Sequence, residues 1–455
     1  MALRKIAPKL APEEYERKFA DISPPLSRQQ ALVEASRCLF CFDAPCIAAC
    51  PTRIDVPAFI KKISTGNLKG SARVILTANI LGHSCGRVCP TEVLCEGACV
   101  MHARGEMPIQ IGRLQRYAVD YVLDRNIRMF EAGKPNGRRV ACIGSGPASL
   151  ACAAELAKWG CRVTIFDKNP LPGGLNTYGI AAYKTRAPDS LREVKLVEDL
   201  GVEFRQGVQV GKDISLRELE KQFDAIFVGV GLGETWDLKI PGENLEGVYA
   251  AMEFIEHTKV EAFHHIDVGH RVAVIGAGNT AIDAATAAAR LGAEPVYILY
   301  RRSEREMPAF KYEFELAKKD GVNFLWQTAP VRILGRSVVE GLECVRMKLG
   351  EPDASGRRRP EPIAGSEFVL EVDMVVGAIG QHPVFELLKS LPRVELEGDL
   401  VRVNESGQTT NPRYFAGGDC VNGGKEVVDA VAEGMRAARG IYEFLKPLMN
   451  TDEHR

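Results

Sequence analysis

The 455-residue sequence predicts an α/β fold in which an N-terminal all-α segment, 1–136, precedes two Rossmann-like domains of doubly wound parallel sheet. Three observations predict it. Eight of the 13 cysteines lie between Cys38 and Cys99, among apolar residues at helical spacing. A strand, glycine turn, helix and strand open at Arg139, and the same pattern returns at Arg271. A Gly-Gly-Asp turn at 417–419 then leads into a final helical stretch.

Composition narrows the function classes. Hydrophobic content of 46% and charged content of 26% are globular values, and the length suits two or three domains. A net charge of −1 offers no electrostatic reason to bind nucleic acid or an anionic membrane. No apolar run reaches the length of a membrane span. The N-terminus, "MALRKIAPKLAPEEYERKFA", has no continuous apolar core and carries acids early, so no secretion signal is expected. A cytoplasmic chain follows as the expectation. Clustered thiols there are more often ligands than disulfides. Cys142, Cys152, Cys161, Cys344 and Cys420 are scattered and read as small buried hydrophobes.

In the first segment, "VPAFIKKISTGNLKGSARVILTANI" and "IGRLQRYAVDYVLDRNI" have helical periodicity, and "EAGKPNGRR" (131–139) reads as a linker. The thiols form two groups, C-x2-C-x4-C-x3-C-P from Cys38 and C-x3-C-x5-C-x3-C from Cys85. The first is close to the bacterial ferredoxin run C-x2-C-x2-C-x3-C-P. Thiolates suit iron–sulfur clusters or zinc, and eight would serve two sites of either kind. A disulfide scaffold is the third reading.

The second segment opens with "VACIGSGPASL". Gly144 permits a tight turn, Gly146 lets backbone approach a pyrophosphate, and Pro147 and Ala148 begin the helix behind it. Asp167 ends the next strand, where a carboxylate would accept ribose hydroxyls. The alternative is a glycine turn in a non-binding domain. In the third segment Gly276, Gly278 and Asn279 take the same places. Aligning "GCRVTIFDK" with "GAEPVYILYRR" puts Tyr300 opposite Asp167, with Arg301 and Arg302 following. Two guanidiniums in place of an acid suit a 2′-phosphate and favour NADPH, unless they only line a solvated strand end.

The late "YFAGGDCVNGGKEVVDAV" ends a strand in Gly418 and Asp419, with a helix expected from near Lys425. In folds of the flavin disulfide-reductase type such a turn closes an FAD site. "PGGLNTYGI", with Gly174, suits a loop beside the flavin. The expected domains are 1–136 for the thiols, 137–266 plus 373–455 for FAD, and 267–372 for NAD(P)H. Two nucleotides in one chain suggest hydride transfer from NAD(P)H to FAD. The flavin then needs a one-electron exit, which favours two 4Fe-4S clusters over zinc. The short basic run "GRRRPEP" (356–362) reads as an exposed hairpin.

Taken together, "CLFCFDAPCIAACPTRIDVPAFI", "CGRVCPTEVLCEGAC", "GSGPASL", "IGAGNTAID" and "FAGGD" resemble one family along nearly the whole chain. It includes the glutamate synthase small subunit and the N-terminal part of dihydropyrimidine dehydrogenase. The likeness is greatest to the flavin subunits of bacterial NAD(P)-dependent dihydropyrimidine dehydrogenases. The segment "IGRLQ" is similar to the pyrimidine branch, which has glutamine where the glutamate synthase branch has glutamate; here that residue is Gln115, sixteen after Cys99. The resemblance implies one cluster on Cys38, Cys41, Cys46 and Cys99, another on Cys50, Cys89, Cys95 and Gln115, and Cys85 left spare. It further implies a heterotetramer with an FMN and iron–sulfur subunit that reduces uracil or thymine, and no catalytic acid or base in this chain. A (β/α)8 barrel needs about 250 residues, so that pyrimidine site is expected on the partner. Two departures stand out. Ala181 follows Gly179-Ile180 where the family often has proline. The bacterial relatives are NADH-linked, while Arg301 and Arg302 argue for NADPH. The alternatives are a glutamate synthase small subunit and a stand-alone NAD(P)H:acceptor reductase.

Overall fold

A computed structural model of the protein describes residues 4–352 and 358–452. The chain forms two compact bodies.

The first body holds 22–177, 184–232 and 383 onward. It begins with short helices: Arg28–Ser36, Val56–Ser64, Leu68–Ala78, Gly82–Val88 and Ile111–Leu123. Local capping sets their starts. Ser27 and Gln30 exchange hydrogen bonds, Ala58 N donates to Asp55, and Gly70 N donates to Asn67. Each such cap contributes about 0.5–2 kcal/mol. Phe59, Ile60, Ile63, Ile75, Leu76, Leu114 and Val119 form the fully buried seam between these helices. Each such side chain contributes about 1.5–3 kcal/mol by leaving water. Cys50, Cys85 and Cys99 lie in the same core, so the thiol segment is folded around its cysteines.

The same body carries a five-stranded parallel sheet in the order Tyr414–Ala416, Ala225–Val228, Arg139–Ile143, Arg162–Asp167, Glu203–Gln206. Val140 to Ile143 are all buried, because a parallel sheet is covered on both faces. The strand order reverses beside Arg139–Ile143, which makes the loop after that strand the place where a ligand can sit. Helix Pro147–Lys158 starts there. Helix Val427–Asp452 packs on it so closely that a Cβ on Gly434 would lie 2.1 Å from the Ala148 carbonyl oxygen.

The second body holds residues up to 21, 178–183 and 233–382. Its parallel sheet runs Val248–Ala250, Met374–Gly377, Val272–Ile275, Val296–Tyr300, Asn323–Trp326. A smaller antiparallel sheet joins Gly341–Pro352 to Thr328–Leu334, Phe368–Leu370 and Arg358–Pro362. The last of these pairs carries the hairpin expected at 356–362, whose residues 356 and 357 lie outside the described residues.

The domain boundaries differ from the sequence reading. Residues 178–183, 233–266 and 373–382, all expected in the FAD domain, fall in the second body, where Val248–Ala250 pairs with Met374–Gly377. Residues 4–21 do so too: Ala7 N donates to Val268 O at 2.9 Å, and Phe19 stacks on Phe263 at 4.0 Å. The final helix begins at Val427, near Lys425 as expected, after a separate short helix Asp419–Asn422. Among the described residues no helix is long and apolar enough to cross a membrane.

Candidate functional site

Both glycine turns have the same construction. Gly144 has φ +92°, and a Cβ there would stand 2.4 Å from Gly229 O, just past the neighbouring strand. Gly276 has φ +129°, and its Cβ would stand 2.2 Å from Ala378 O, again just past the neighbouring strand. Only glycine fits either place without displacing backbone. Two residues on, Gly146 and Gly278 face open space, with nothing within 4 Å of a Cβ. Each is the N-cap of a 12-residue helix, Pro147–Lys158 or Asn279–Arg290, and no side chain caps either helix. Free amides and the positive end of the helix dipole therefore meet an open cradle, the donor arrangement a pyrophosphate requires.

Around the first turn the fold gathers residues far apart in sequence. A Cβ on Gly174 would lie 2.7 Å from Gly146 Cα, and one on Gly418 would lie 3.1 Å from Ala148 Cβ. Asp167 is buried, and its carboxylate accepts from Ser145 N at 2.7 Å, Ser145 Oγ at 2.6 Å and Asn169 N at 2.8 Å. It locks the glycine turn, and the lone pairs beyond these three bonds remain for a ribose. Burial, reinforced by Glu433 and Asp429, raises the Asp419 pKa, against the lowering contact with the Lys425 amide. Sequence reasoning missed Glu433, which accepts from Gly418 N at 2.7 Å and fixes the Gly-Asp turn. Glutamate on a long helix carries no local signal of such a role.

At the second turn Tyr300 ends its strand as Asp167 ends its own, one residue beyond the pairs Ile275–Leu299 and Ile143–Phe166. Its hydroxyl donates to Glu306 O at 2.8 Å, so no carboxylate stands in the ribose position. Arg301 is exposed, and Arg302 Nε donates to Arg358 O at 3.3 Å with its other donors still available. Asn279 Oδ1 accepts from Phe310 N at 3.0 Å, so this side chain ties the turn to the next helix.

The thiols divide in space differently from their order in sequence. Cys38, Cys41, Cys46 and Cys99 line one cavity together with Ile60 and Met101. Cys50 is absent from that set; it stands beside Cys89 and Cys95. Burial first, then Cys38 and Cys99, pushes the Cys46 thiol up to about 11. A hydrogen bond with Cys85, then burial, then Cys95 and Cys50 push Cys89 well up. Such thiols become thiolates only against a cation, which suits soft-metal ligation. Among the described residues no three His, Cys, Asp or Glu groups converge tightly enough for a single metal ion. Cys85 accepts from Asn79 Nδ2 at 3.2 Å. Gln115 is 7% exposed, and its Nε2 donates to Gly82 O at 2.7 Å.

Two uncapped glycine cradles and two sets of buried and half-buried thiols in one chain define a class: a dinucleotide-binding protein with a metal-ligating helical module. Comparison with known proteins agrees. Residues 138–434 match the pyridine nucleotide-disulphide oxidoreductases, and 15–127 match the dihydropyrimidine dehydrogenase domain II, 4Fe-4S cluster family. The glutamate synthase [NADPH] small chain of Escherichia coli strain K12 is 36% identical over 463 residues, 98% of either chain. That of Halomonas elongata is 38% identical over 443 residues, 94% of either chain. Mycobacterium tuberculosis FprA in complex with NADPH shares the fold, with a TM-score of 0.58 at 21% identity over 70% of this chain and 86% of its own. The chain belongs to the pyridine nucleotide-disulphide oxidoreductase family, with a 4Fe-4S module at its N-terminus. It is an NAD(P)H-dependent electron-transfer oxidoreductase whose cofactors are FAD, 4Fe-4S iron–sulfur and NAD(P)H. The Escherichia coli and Halomonas elongata relatives, matched over nearly the whole of either chain, carry the glutamate synthase name rather than a pyrimidine one.

Proposed function

We propose that this chain is the electron-input subunit of a two-part enzyme of the glutamate synthase type, taking electrons from NADPH and delivering them singly to a partner. The observation that carries this reading is the pairing of two like nucleotide cradles with two thiol groups in a chain that matches such small chains from end to end. FAD, when bound, accepts a hydride and releases electrons one at a time; the clusters carry them onward.

The chain's own residues do the holding. Gly144, Gly146 and the helix from Pro147 receive the FAD pyrophosphate, with Ala148 and Gly174 shaping the turn's walls. Asp167 faces the ribose, and Gly418 and Asp419 close the flavin side. Gly276, Gly278 and the helix from Asn279 receive the nicotinamide nucleotide, and Arg301 and Arg302 its 2′-phosphate. Cys38, Cys41, Cys46 and Cys99 hold one cluster; Cys50, Cys89, Cys95 and Gln115 hold the other. No side chain is asked to act as general acid or base. The domains are 137–177 and 184–232 with 383 onward for FAD, and 178–183 with 233–382 for NADPH. The cytoplasm suits the chain, since all 13 cysteines are free.

Gln115 favours a second reading, electron input to an FMN subunit that reduces uracil or thymine. Anaerobic purification with the partner attached separates the two. A large amidotransferase that makes glutamate with NADPH supports the first reading. An FMN barrel that consumes uracil overturns it in favour of the second.

A further inference from the structure

Glu193 is 1% exposed and far in sequence from every cysteine. A carboxylate so buried is unfavourable unless donors surround it. Its donors all come from one place. His83 N and Ser84 N donate to its Oε1 at 2.7 and 3.0 Å, and the Ser84 hydroxyl donates to its Oε2. These groups open the helix Gly82–Val88, whose seven residues are too few to hold a position unaided. Two features of that helix bear on the second thiol group. The Gly82 carbonyl accepts from Gln115 Nε2 at 2.7 Å, which fixes the amide and with it the direction of its acceptor, Oε1. The Cys89 amide closes the helix on Cys85 O at 3.2 Å.

We propose that Glu193 is a positioning residue for the second cluster: it anchors the helix that orients Gln115 through Gly82 and carries Cys89 at its end. The inference rests on the reading that Cys89 and Gln115 are ligands. Outer groups that orient ligands tune both the retention and the potential of a metal centre. Glu193 comes from a helix, Ala187–Glu198, in the nucleotide-binding part of the chain, so it ties the geometry of the cluster to that part.

The test uses the full chain, purified anaerobically as Glu193→Leu, Glu193→Gln, Ser84→Ala and Cys89→Ala. Iron content, flavin absorbance and an EPR redox titration are read. Glu193→Leu is expected to keep its flavin and one cluster signal, and to lose about four iron atoms per chain. Glu193→Gln keeps an acceptor for the two amides and is expected to restore the iron. Ser84→Ala, which removes one donor only, is expected to shift the potential of one cluster alone; it decides the matter if Glu193→Leu does not fold. Wild-type iron and potentials in both Glu193→Leu and Ser84→Ala would overturn the proposal. So would joint loss of flavin and both clusters in Glu193→Leu with wild-type potentials in Ser84→Ala, since that marks a general folding role. If Cys89→Ala retains both clusters unchanged, the ligand reading itself fails.

Discussion

Replacing Gly144 and Gly146 by alanine, one at a time, separates two roles that lie two residues apart. At Gly144 the backbone is left-handed, φ +92°, and the new Cβ would sit 2.4 Å from Gly229 O. The conformational strain is about 1–2 kcal/mol, and forcing a methyl against backbone adds about 1–3 kcal/mol. Together these remove about 2–5 kcal/mol from a domain stability of about 5–15 kcal/mol. At Gly146 φ is −70°, and nothing lies within 4 Å of the added Cβ, so the apoprotein should lose almost nothing. The methyl instead fills the space in front of the uncapped helix, and the overpacking cost of about 1–3 kcal/mol falls on the bound FAD, roughly a 5–150-fold weaker Kd. Urea unfolding of the flavin-stripped chain measures the first effect, and flavin fluorescence titration the second. Wild-type FAD affinity in Gly146→Ala would refute the seating of the pyrophosphate at this turn. Wild-type stability in Gly144→Ala would refute the close approach.

Other expectations follow from the same geometry. Gly278→Ala should weaken NADPH, read as a higher KM for flavin reduction, with FAD content unchanged. Arg301→Ala combined with Arg302→Ala should lower the preference for NADPH over NADH by about 10–100-fold, since a charged hydrogen bond is worth about 1.5–3 kcal/mol; rates with each cofactor measure it. Cys46→Ser should remove one cluster, about four iron atoms, while Cys85→Ala should keep both, as anaerobic iron assay will show. Asp120 supplies a pH test. Burial opposes its ionisation, but the His83 imidazole 2.9 Å away and the charges of Arg87 and Arg116 outweigh this and hold its carboxyl below the usual range. A depressed folded pKa gives stabilisation that is full above the unfolded value of about 4 and is lost as pH falls through the folded value. Asp120→Asn should therefore flatten the acid limb of the stability curve below about pH 4.

Much of the fold was legible in residue identity alone. Gly144 and Gly276 announce positions where a Cβ would strike a neighbouring strand's carbonyl, and the apolar strands beside them must be buried on both faces. Tyr300 in the place of Asp167 was legible too, because glycine turns and strand lengths keep the two units in step. These features are local, and each residue reports the backbone it sits on. Other features needed the folded chain. Val248–Ala250 is too short to show a period, and it becomes a strand only because Met374–Gly377 offers it hydrogen bonds. The spacing of the cysteines suggested two groups of four in sequence order, and only the family resemblance regrouped Cys99 with Cys38, Cys41 and Cys46. Packing of the helices sets these four on one cavity and takes Cys50 elsewhere. Glu193 and Glu433 look like surface glutamates until the fold brings backbone amides to them. Sequence determined the elements and the two turns, since those follow from local sterics and hydrophobic period. The tertiary structure decided which thiols share a cavity and which buried carboxylates hold the site, since both depend on contacts between residues distant along the chain.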